Sequence, residues 1–241
     1  MITSSSNPRL KLVRKLAARR QRDKTGLFVC EGEDLVAAAL DAAIEPVEAL
    51  VDAERPALFE RLPQAEQVTP ALLAELSTLA HPPRVVAVFR RDDLPVGTEL
   101  PVGLALSRVA DPGNVGTLVR TADALGPAFV ALSVGSADPT SPKALRASMG
   151  AIFRVPQALF EEAPGPRIGL VPRAGRPLGE LVIGERVTFV LGAEREGLSE
   201  EVAAACDELV CIPLREGAES LNVAAAGAIA LYEVSRRSFL R

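Results

Sequence analysis

The sequence predicts an α/β protein whose larger C-terminal part is built on a parallel β-sheet, with a small α/β module before it. Three observations lead to this prediction. Short apolar runs alternate with helical segments along residues 102–241, the runs lack a clean apolar–polar alternation, and small or polar residues follow their ends. Strands that are apolar on both sides must be covered on both sides, which is the environment of a parallel sheet between helices.

Length and composition favour two modest domains in a cytoplasmic protein. The chain has 241 residues, of which 48% are hydrophobic, enough to bury a core in each domain. No apolar run approaches the length of a membrane-spanning helix, and the N-terminus lacks the apolar stretch of a signal peptide. Three cysteines without CxxC spacing and a single histidine disfavour a zinc site or a disulfide framework, so we expect no metal.

The N-terminal module is predicted over residues 1–91. Apolar residues at helical spacing among basic ones predict one amphipathic helix over residues 8–24. The remaining elements follow from apolar runs and are strands at 26–30, 47–51 and 85–89 and helices at 33–43 and 71–79. Residues 92–101 are acidic, contain two prolines and a glycine and show no period, so they predict an interdomain linker.

Basic residues are concentrated at the start of the chain. The first 24 residues contain eight lysines and arginines and one acidic residue, although the whole chain has a net charge of −4. Such asymmetry predicts a surface that meets phosphate, and the alternative is an ordinary solvated helix face. The candidate phosphate-contacting residues are Arg9, Lys11, Arg14, Arg19 and Arg22.

The C-terminal domain is predicted over residues 102–241. Its strands are predicted at 103–109, 129–134, 155–160, 168–171, 187–191 and 209–212. Its helices are predicted at 115–125, 142–149, 199–206 and 221–237. The last helix is rich in alanine, and its thin profile permits close approach of another helix or chain.

Polar residues follow three of these strands. In residues 111–116 (Asp-Pro-Gly-Asn-Val-Gly) proline and glycine turn the chain sharply, and Asn114 can cap or cross-link that turn. Arg120 falls on the side of the next helix away from its apolar stripe. Residues 191–194 (Leu-Gly-Ala-Glu) end a buried strand in a glycine, where a ligand could touch the backbone, and Glu194 follows.

The third junction runs from the strand ending at residues 211–214 (Cys-Ile-Pro-Leu) to residues 220–223 (Ser-Leu-Asn-Val), where Ser and Asn stand at a helix start. Carboxyl ends of parallel strands meet at one edge, so the three junctions predict a site for a polar small molecule. Each junction alone also fits an ordinary turn. The absence of GxGxxG and P-loop patterns disfavours a nucleotide-dependent dehydrogenase.

In this order, the three junctions resemble the signature motifs of the SpoU (TrmH-like) RNA 2′-O-ribose methyltransferases of the SPOUT class. Residues 141–151 are similar to the middle region of that family. Residues 6–32 are similar to the substrate-binding extension of many members that act on ribosomal RNA. The resemblance therefore spans nearly the whole chain, with the motifs between residues 102 and 237.

The resemblance implies a parallel α/β sheet with a C-terminal deep trefoil knot, S-adenosyl-L-methionine as cofactor, and a homodimer. By position, the cofactor-binding residues would be Leu191, Gly192, Ile212, Leu214, Ser220 and Leu221. The catalytic residues would be Asn114, Arg120, Glu194 and Asn222, with Arg120 acting near the partner subunit's cofactor. The basic first helix would contact RNA.

The implied reaction is methyl transfer to a ribose 2′-hydroxyl of RNA, and the N-terminal extension favours 23S ribosomal RNA. The alternatives are a transfer-RNA 2′-O-methyltransferase and a non-catalytic RNA- or ribosome-binding protein on the same fold. The chain departs from the family pattern at Ala193, where many members have Asn, and at Leu214, where many have Met. The connection 161–166 is short where relatives carry a longer helix, which we expect to alter RNA reach.

Overall fold

The chain folds into two compact units. The structure, a computed structural model, describes residues 1–55, 60–77 and 81–238. The first unit contains residues 1–94 together with 140–153, and the second contains residues 95–139 together with 154–241. The first break lies inside the predicted linker. Residues 140–153, expected in the C-terminal domain, belong to the first unit instead.

The first unit is a four-stranded mixed sheet with helices on both faces. With elements numbered along the whole chain, it contains α1 (Pro8–Leu16), α2 (Arg19–Thr25), β1 (Leu27–Glu31), α3 (Glu33–Asp41), β2 (Glu48–Asp52), β3 (Glu66–Val68), α4 (Pro70–Leu76), β4 (Val85–Arg90) and α6 (Pro142–Ser148). The strand order is β1-β4-β2-β3. Strand β4 runs antiparallel to β1 and β2, whereas β3 pairs parallel with β2. Strand β3 was not predicted, and the last residues of the predicted 71–79 helix lie outside the described residues.

The predicted single helix over residues 8–24 is wrong, because the chain forms α1 and α2 with a break at residues 17–18. The guanidinium of Arg22 donates hydrogen bonds to the carbonyls of Leu16 (2.9 Å) and Ala17 (2.8 Å). These carbonyls lie at the C-terminus of α1, where no intrahelical donor remains for them. Arg22 is therefore buried, with 3% of its surface exposed.

Residues 140–153 join the first unit because they cover one face of its sheet. The ring of Phe153 lies 6.3 Å from that of Phe28 and 5.5 Å from that of Phe89, centroid to centroid. Gly150, at φ +83°, packs against Ala38 so closely that a β-carbon there would lie 2.4 Å from the alanine methyl. Apolar contact of this kind is decided by tertiary packing, which strand and helix periodicity does not report.

The second unit is a seven-stranded sheet in which every pair is parallel, as predicted. It contains β5 (Val102–Leu106), α5 (Pro112–Leu125), β6 (Ala128–Leu132), β7 (Gln157–Leu159), β8 (Arg167–Leu170), β9 (Arg176–Pro177), β10 (Val187–Leu191), α7 (Glu200–Ala204), β11 (Glu208–Cys211) and α8 (Val223–Ser238). The strand order is β7-β6-β5-β10-β8-β11-β9. All five residues of β10 are buried. Strand β9, two residues long, was not predicted.

Helices α5 and α8 pack against each other and against the sheet. Gly227 of α8 lies against Leu118 of α5 and Leu191 of β10, and a β-carbon at Gly227 would approach Leu118 Cδ2 to 2.3 Å. The thin profile predicted for α8 thus serves close helix packing. In the described part of the chain, no helix is both long and apolar enough to cross a membrane.

The predicted linker is not a free spacer. Val96 forms a parallel bridge with Gln157, and the Gly97 N–H donates to the Gln157 carbonyl at 3.0 Å. The Arg186 guanidinium donates to the carbonyls of Thr98 and Glu99. These bonds fix residues 96–99 on the second unit, so the composition of the segment predicts its exposure but not its order.

Candidate active site

The three polar junctions of the sequence meet at the carboxyl edge of the parallel sheet, where Glu194 is the central acceptor. One carboxylate oxygen of Glu194 accepts hydrogen bonds from the Asp111 N–H and the Asn114 side-chain amide, both at 3.0 Å. The other oxygen accepts from the Ala110 N–H at 3.2 Å. The loop after β10 is therefore tied to the loop after β5, about 80 residues earlier in the chain.

Asn222 extends this network to the start of α8. Its side-chain NH₂ donates to the side-chain oxygen of Asn114 at 3.0 Å. Its own side-chain oxygen accepts from the N–H groups of Ala224 (2.8 Å) and Ala225 (3.2 Å), which caps the helix. The amide of Asn114 is thus held at both ends. We call Glu194, Asn114 and Asn222 the polar network.

Of the two side chains that the sequence offered as helix caps, Ser199 is a cap and Asn114 is not. Asp111, not Asn114, caps α5, because its carboxylate accepts from the N–H groups of Gly113 (2.6 Å) and Asn114 (3.1 Å). Asn114 is therefore available for the polar network. Ser199 caps α7 as predicted, accepting from the Val202 N–H at 3.3 Å.

The polar network keeps Glu194 ionised at neutral pH. Partial burial would raise the pKa of this carboxyl. The hydrogen bonds from Asn114 and from the N–H groups of Asp111 and Ala110 outweigh burial, so the pKa is lowered from its ordinary value. The edge of the site carries a fixed negative charge.

A cleft of about 250 Å³ opens beside the polar network, and we call it the first cleft. Its walls are the end of β8, the loop after β10, and the chain from residue 212 to the first turns of α8. All six residues predicted to bind the cofactor lie in its lining: Leu191, Gly192, Ile212, Leu214, Ser220 and Leu221. The structure brings these residues together, and their binding role stays a prediction.

The structure explains why residue 192 is a glycine, and this explanation could not be read from the sequence. A β-carbon at residue 192 would lie 2.1 Å from the backbone carbon of Gly197. The loop 193–197 folds back on the strand end, with hydrogen bonds in both directions between the backbones of Ala193 and Gly197. The missing side chain therefore admits the protein's own backbone, where the sequence predicted the approach of a ligand.

Arg120 is not brought to the polar network. It lies on the exposed side of α5 and does not line the first cleft. Among the residues that the structure describes, its side chain has no hydrogen-bond or ion-pair partner. An exposed arginine without a partner on its own subunit is what the resemblance implies for a residue that acts on a partner subunit, and that role stays a prediction.

The predicted phosphate-contacting residues divide by their surroundings. The prediction for Arg22 is corrected, because its buried guanidinium is occupied by backbone carbonyls. Arg9 forms ion pairs with Glu48 (2.7 Å) and Glu66 (2.6 Å).

Ion pairs also engage two more of these residues. Arg14 pairs with Glu75 at 3.2 Å, and Arg19 pairs with Asp23 at 3.6 Å. Within residues 9–24, the exposed cations without a side-chain partner in the described part of the chain are Lys11, Lys15, Arg20 and Lys24. Of these four, only Lys11 is among the predicted phosphate-contacting residues.

The class of protein is an α/β protein with a parallel sheet. Proteins of this class bind their ligands at the carboxyl ends of the strands, where the first cleft and the ionised Glu194 lie. Residues 101–232 match the SpoU rRNA Methylase family, and residues 7–87 match the MRM3-like substrate binding domain. The chain belongs to the SpoU rRNA methylase family.

Relatives and solved structures match along nearly the full chain. A Synechocystis protein named as an uncharacterized tRNA/rRNA methyltransferase is 33% identical over 99% of this chain and 94% of its own length. The Bacillus subtilis 23S rRNA (guanosine(2553)-2′-O)-methyltransferase RlmP is 32% identical over 97% of this chain and 98% of its own length. The AdoMet-bound rRNA methyltransferase from Sinorhizobium meliloti superposes with a TM-score of 0.88 at 29% identity, covering 100% of this chain and 98% of that one.

Proposed function

We propose that this protein transfers a methyl group from S-adenosyl-L-methionine to a ribose 2′-hydroxyl of ribosomal RNA, with 23S RNA as the substrate. One observation carries the proposal, namely that the first cleft opens directly beside the polar network of Glu194, Asn114 and Asn222. The family match and the full-length similarity to ribosomal RNA 2′-O-methyltransferases support it. A cytoplasmic location is part of the proposal, and the similarity to a Bacillus subtilis enzyme that modifies 23S rRNA supports it.

The residues of the first cleft fit this cofactor. Apolar side chains of Leu191, Ile212, Leu214 and Leu221 suit the adenine ring, and the Ser220 hydroxyl offers a polar contact. The ionised Glu194 at the cleft edge suits a molecule that carries positive charge. S-adenosyl-L-methionine supplies a methyl group that its sulfonium charge has already activated.

The protein's remaining task is to position the RNA hydroxyl and to stabilise the charge that develops on it. Arg120 is assigned this second task. Arginine stays protonated in proteins, so it acts here by holding the neighbouring phosphate and the developing alkoxide, not as a base. The hydroxyl proton would be released to solvent water as the oxygen–methyl bond forms and the sulfur–methyl bond breaks. Asn114, fixed at both ends of its amide, and Asn222 complete the polar side of the site.

A homodimer would bring Arg120 to a cleft. Helix α8 exposes Ile229 and Tyr232 one turn apart, with 39% and 57% of their surfaces accessible, and Leu221 before the helix is 40% exposed. Large exposed apolar side chains in a row are typical of an interaction surface. Because α5, which carries Arg120, packs beside α8, a second subunit bound at α8 would meet both.

The C-terminal trefoil knot is supported by the order of the strands. Strand β11 lies between β8 and β9, which precede it in the chain. The end of β11 and the segment after it bond to the loop leaving β8. The thiol of Cys211, the last residue of β11, donates to the Gly175 carbonyl, and the Arg173 guanidinium donates to the Ala218 carbonyl at 2.9 Å. A knot requires that a late strand insert between earlier strands and that the chain after it cross an earlier loop.

The first unit is proposed to bind RNA through Lys11, Lys15, Arg20 and Lys24. Its match to a substrate binding domain supports this. RNA binding through phosphates weakens as salt rises, so the affinity of the whole protein should fall steeply between low and physiological salt.

The direct test uses an unmethylated in vitro transcript of 23S ribosomal RNA and radiolabelled S-adenosyl-L-methionine. We expect cofactor binding by titration calorimetry and methyl incorporation at a ribose 2′-oxygen. Arg120→Ala should reduce turnover on the order of 100-fold or more while leaving cofactor affinity unchanged. Incorporation into transfer RNA alone would favour the transfer-RNA alternative, and an absence of binding heat would favour the non-catalytic one.

Subunit mixing tests whether Arg120 acts across the dimer. Arg120→Ala is expected to be inactive because it lacks the arginine. Gly192→Ala is expected to be nearly inactive when the cofactor concentration is kept well below its weakened dissociation constant, because its cleft is disturbed. A mixed dimer regains one complete site if the arginine serves the partner's cleft, so fully exchanged subunits should recover about a quarter of the wild-type activity. If Arg120 serves its own subunit, mixing restores nothing.

A further inference from the structure

A second cleft, of about 590 Å³, opens at the same carboxyl edge of the second unit. Its rim includes the residues that follow β5 and β6, and its floor includes Val190 of β10 and Val202 of α7. It falls in the size range of ligand sites in proteins. None of the residues assigned to the cofactor or to the polar network lines it.

Arg108 lies where the two clefts adjoin. It lines the second cleft, and its Nη1 lies 3.7 Å from the Oε2 of Glu196, which lines the first cleft. Two residues further on, the Ala110 N–H donates to Glu194 of the polar network. The backbone from Arg108 to Ala110 therefore spans at most about 7 Å. One nucleotide of RNA can cover this distance.

Arg108 is held in an unfavourable conformation. Its φ is +57°, in the left-handed region that residues other than glycine seldom adopt. Its N–H donates to the Ser133 hydroxyl at 2.8 Å, which fixes the backbone in this state. Strained residues of this kind concentrate at functional sites. A glycine would adopt this backbone conformation without strain. The backbone therefore does not explain why residue 108 is an arginine, and we attribute the arginine to its side chain.

The cation of Arg108 is available. Its ion pair with Glu196 is long, and the two side chains are 64% and 73% exposed. Replacing this ion pair by a contact with a phosphate therefore costs little free energy. The other arginine of the second cleft, Arg167, is occupied by the carbonyls of Ala163 and Glu161.

The rest of the second cleft suits a base better than a phosphate. Val190, Val202 and Ala205 give it apolar surface, while Glu161 and Glu201 would repel an anion. Carboxylates accept hydrogen bonds from the amino and imino groups of bases, and unstacked RNA bases are commonly bound against such surfaces.

Resting on the proposed function, we propose that the second cleft holds the base of the nucleotide next to the methylated one, with Arg108 binding the phosphate that joins the two nucleotides. The site would then recognise at least two successive nucleotides, one for chemistry and one for position. The short connection 161–166, which contributes Glu161 to the cleft, leaves this part of the second unit open.

The test compares Arg108→Gly with Ala205→Trp, which fills the second cleft from the residue that follows α7. Arg108→Gly removes the cation and also relieves the backbone strain, so its melting temperature should rise by about 2 °C or more. Its affinity for the unmethylated 23S transcript should fall about tenfold, and its salt slope should fall by about one unit. Arg108→Lys should recover part of the affinity.

Ala205→Trp should raise the KM for the transcript about tenfold with unchanged cofactor affinity. The matched control is Arg176→Ala, which removes an exposed, ion-paired arginine of the same unit that lines neither cleft. Wild-type transcript affinity and KM in both Arg108→Gly and Ala205→Trp would overturn the proposal. Methylation of the transcript by the wild-type protein tests the proposed function separately. Transcript binding, measured by fluorescence anisotropy, tests the second cleft even if no turnover occurs.

Discussion

Replacing Glu194 with Gln should weaken the site in a measurable, pH-dependent way. The carboxylate accepts three hydrogen bonds, two on one oxygen and one on the other. Glutamine keeps the shape and can retain the two bonds on its carbonyl oxygen. Its NH₂ group would then face the Ala110 N–H, so two donors oppose each other where a donor met an acceptor.

The magnitude follows from the hydrogen bond that is lost. A bond to a charged acceptor contributes about 1.5–3 kcal/mol when buried. Because Glu194 is an exposed residue, solvent screening reduces this contribution below that range, to about 1 kcal/mol. For a protein of this size such a loss lowers the melting temperature by roughly 2–4 °C. Displacement of Asn114 should reduce methyl transfer on the order of 10- to 100-fold.

The pH dependence has a definite sign. The folded-state pKa of Glu194 is lowered, so its contribution to stability is present above the unfolded pKa of about 4.3 and is lost as pH falls through the folded value. The difference in unfolding free energy between wild type and Glu194→Gln should be full near neutral pH and shrink below about pH 4.

Urea unfolding at several pH values measures this difference, and methyl incorporation measures the catalytic effect. Glu185→Gln, which makes the same charge change at an exposed residue of the second unit, is the control and should match wild type. The reasoning is refuted if Glu194→Gln equals wild type in both stability and turnover, or if the stability difference is independent of pH.

Three further substitutions test the remaining structural claims. Gly192→Ala should lower cofactor affinity at least about tenfold, because a β-carbon there meets backbone at 2.1 Å. The control Gly184→Ala, where a β-carbon has nothing within 4 Å, should leave cofactor affinity unchanged. Titration calorimetry measures both. Arg22→Met should cost about 2–3 kcal/mol in urea unfolding, since two carbonyls lose their donor; reduced RNA affinity at unchanged stability would contradict its structural role. Ser199→Ala should cost about 1 kcal/mol by removing the cap of α7, and thermal melting equal to wild type would show that the cap is dispensable.

Much of the second unit was predictable because its signals are local. The buried strand β10 is an apolar run interrupted only by Thr188, and Pro112 begins α5 at the first helical position, where proline is favoured. The missed strands β3 and β9 have three and two residues. Such short strands are defined by pairing with distant chain, which a local pattern does not contain.

The site was predictable as a set of residues and not as an arrangement. Parallel strands end at one edge, so the residues after β5, β10 and β11 had to approach each other. Which atoms would bond was open: the sequence left Asn114 to cap or to cross-link the turn, whereas Asp111 caps α5 and Asn114 joins Glu194 to Asn222. The geometry of side-chain amides depends on partners that lie 80 and 108 residues away along the chain.

The sequence by itself determined the parallel sheet and the strand-end residues that line the first cleft, because apolar periodicity and turn residues act over a few positions. The family followed from the resemblance of the three strand-end motifs to known sequences. Only the tertiary structure decided that Arg22 is buried, that residues 140–153 pack with the first unit, and that Arg108 lies between two clefts. Each of these depends on which surfaces close over which side chains, and burial is settled when distant segments pack together.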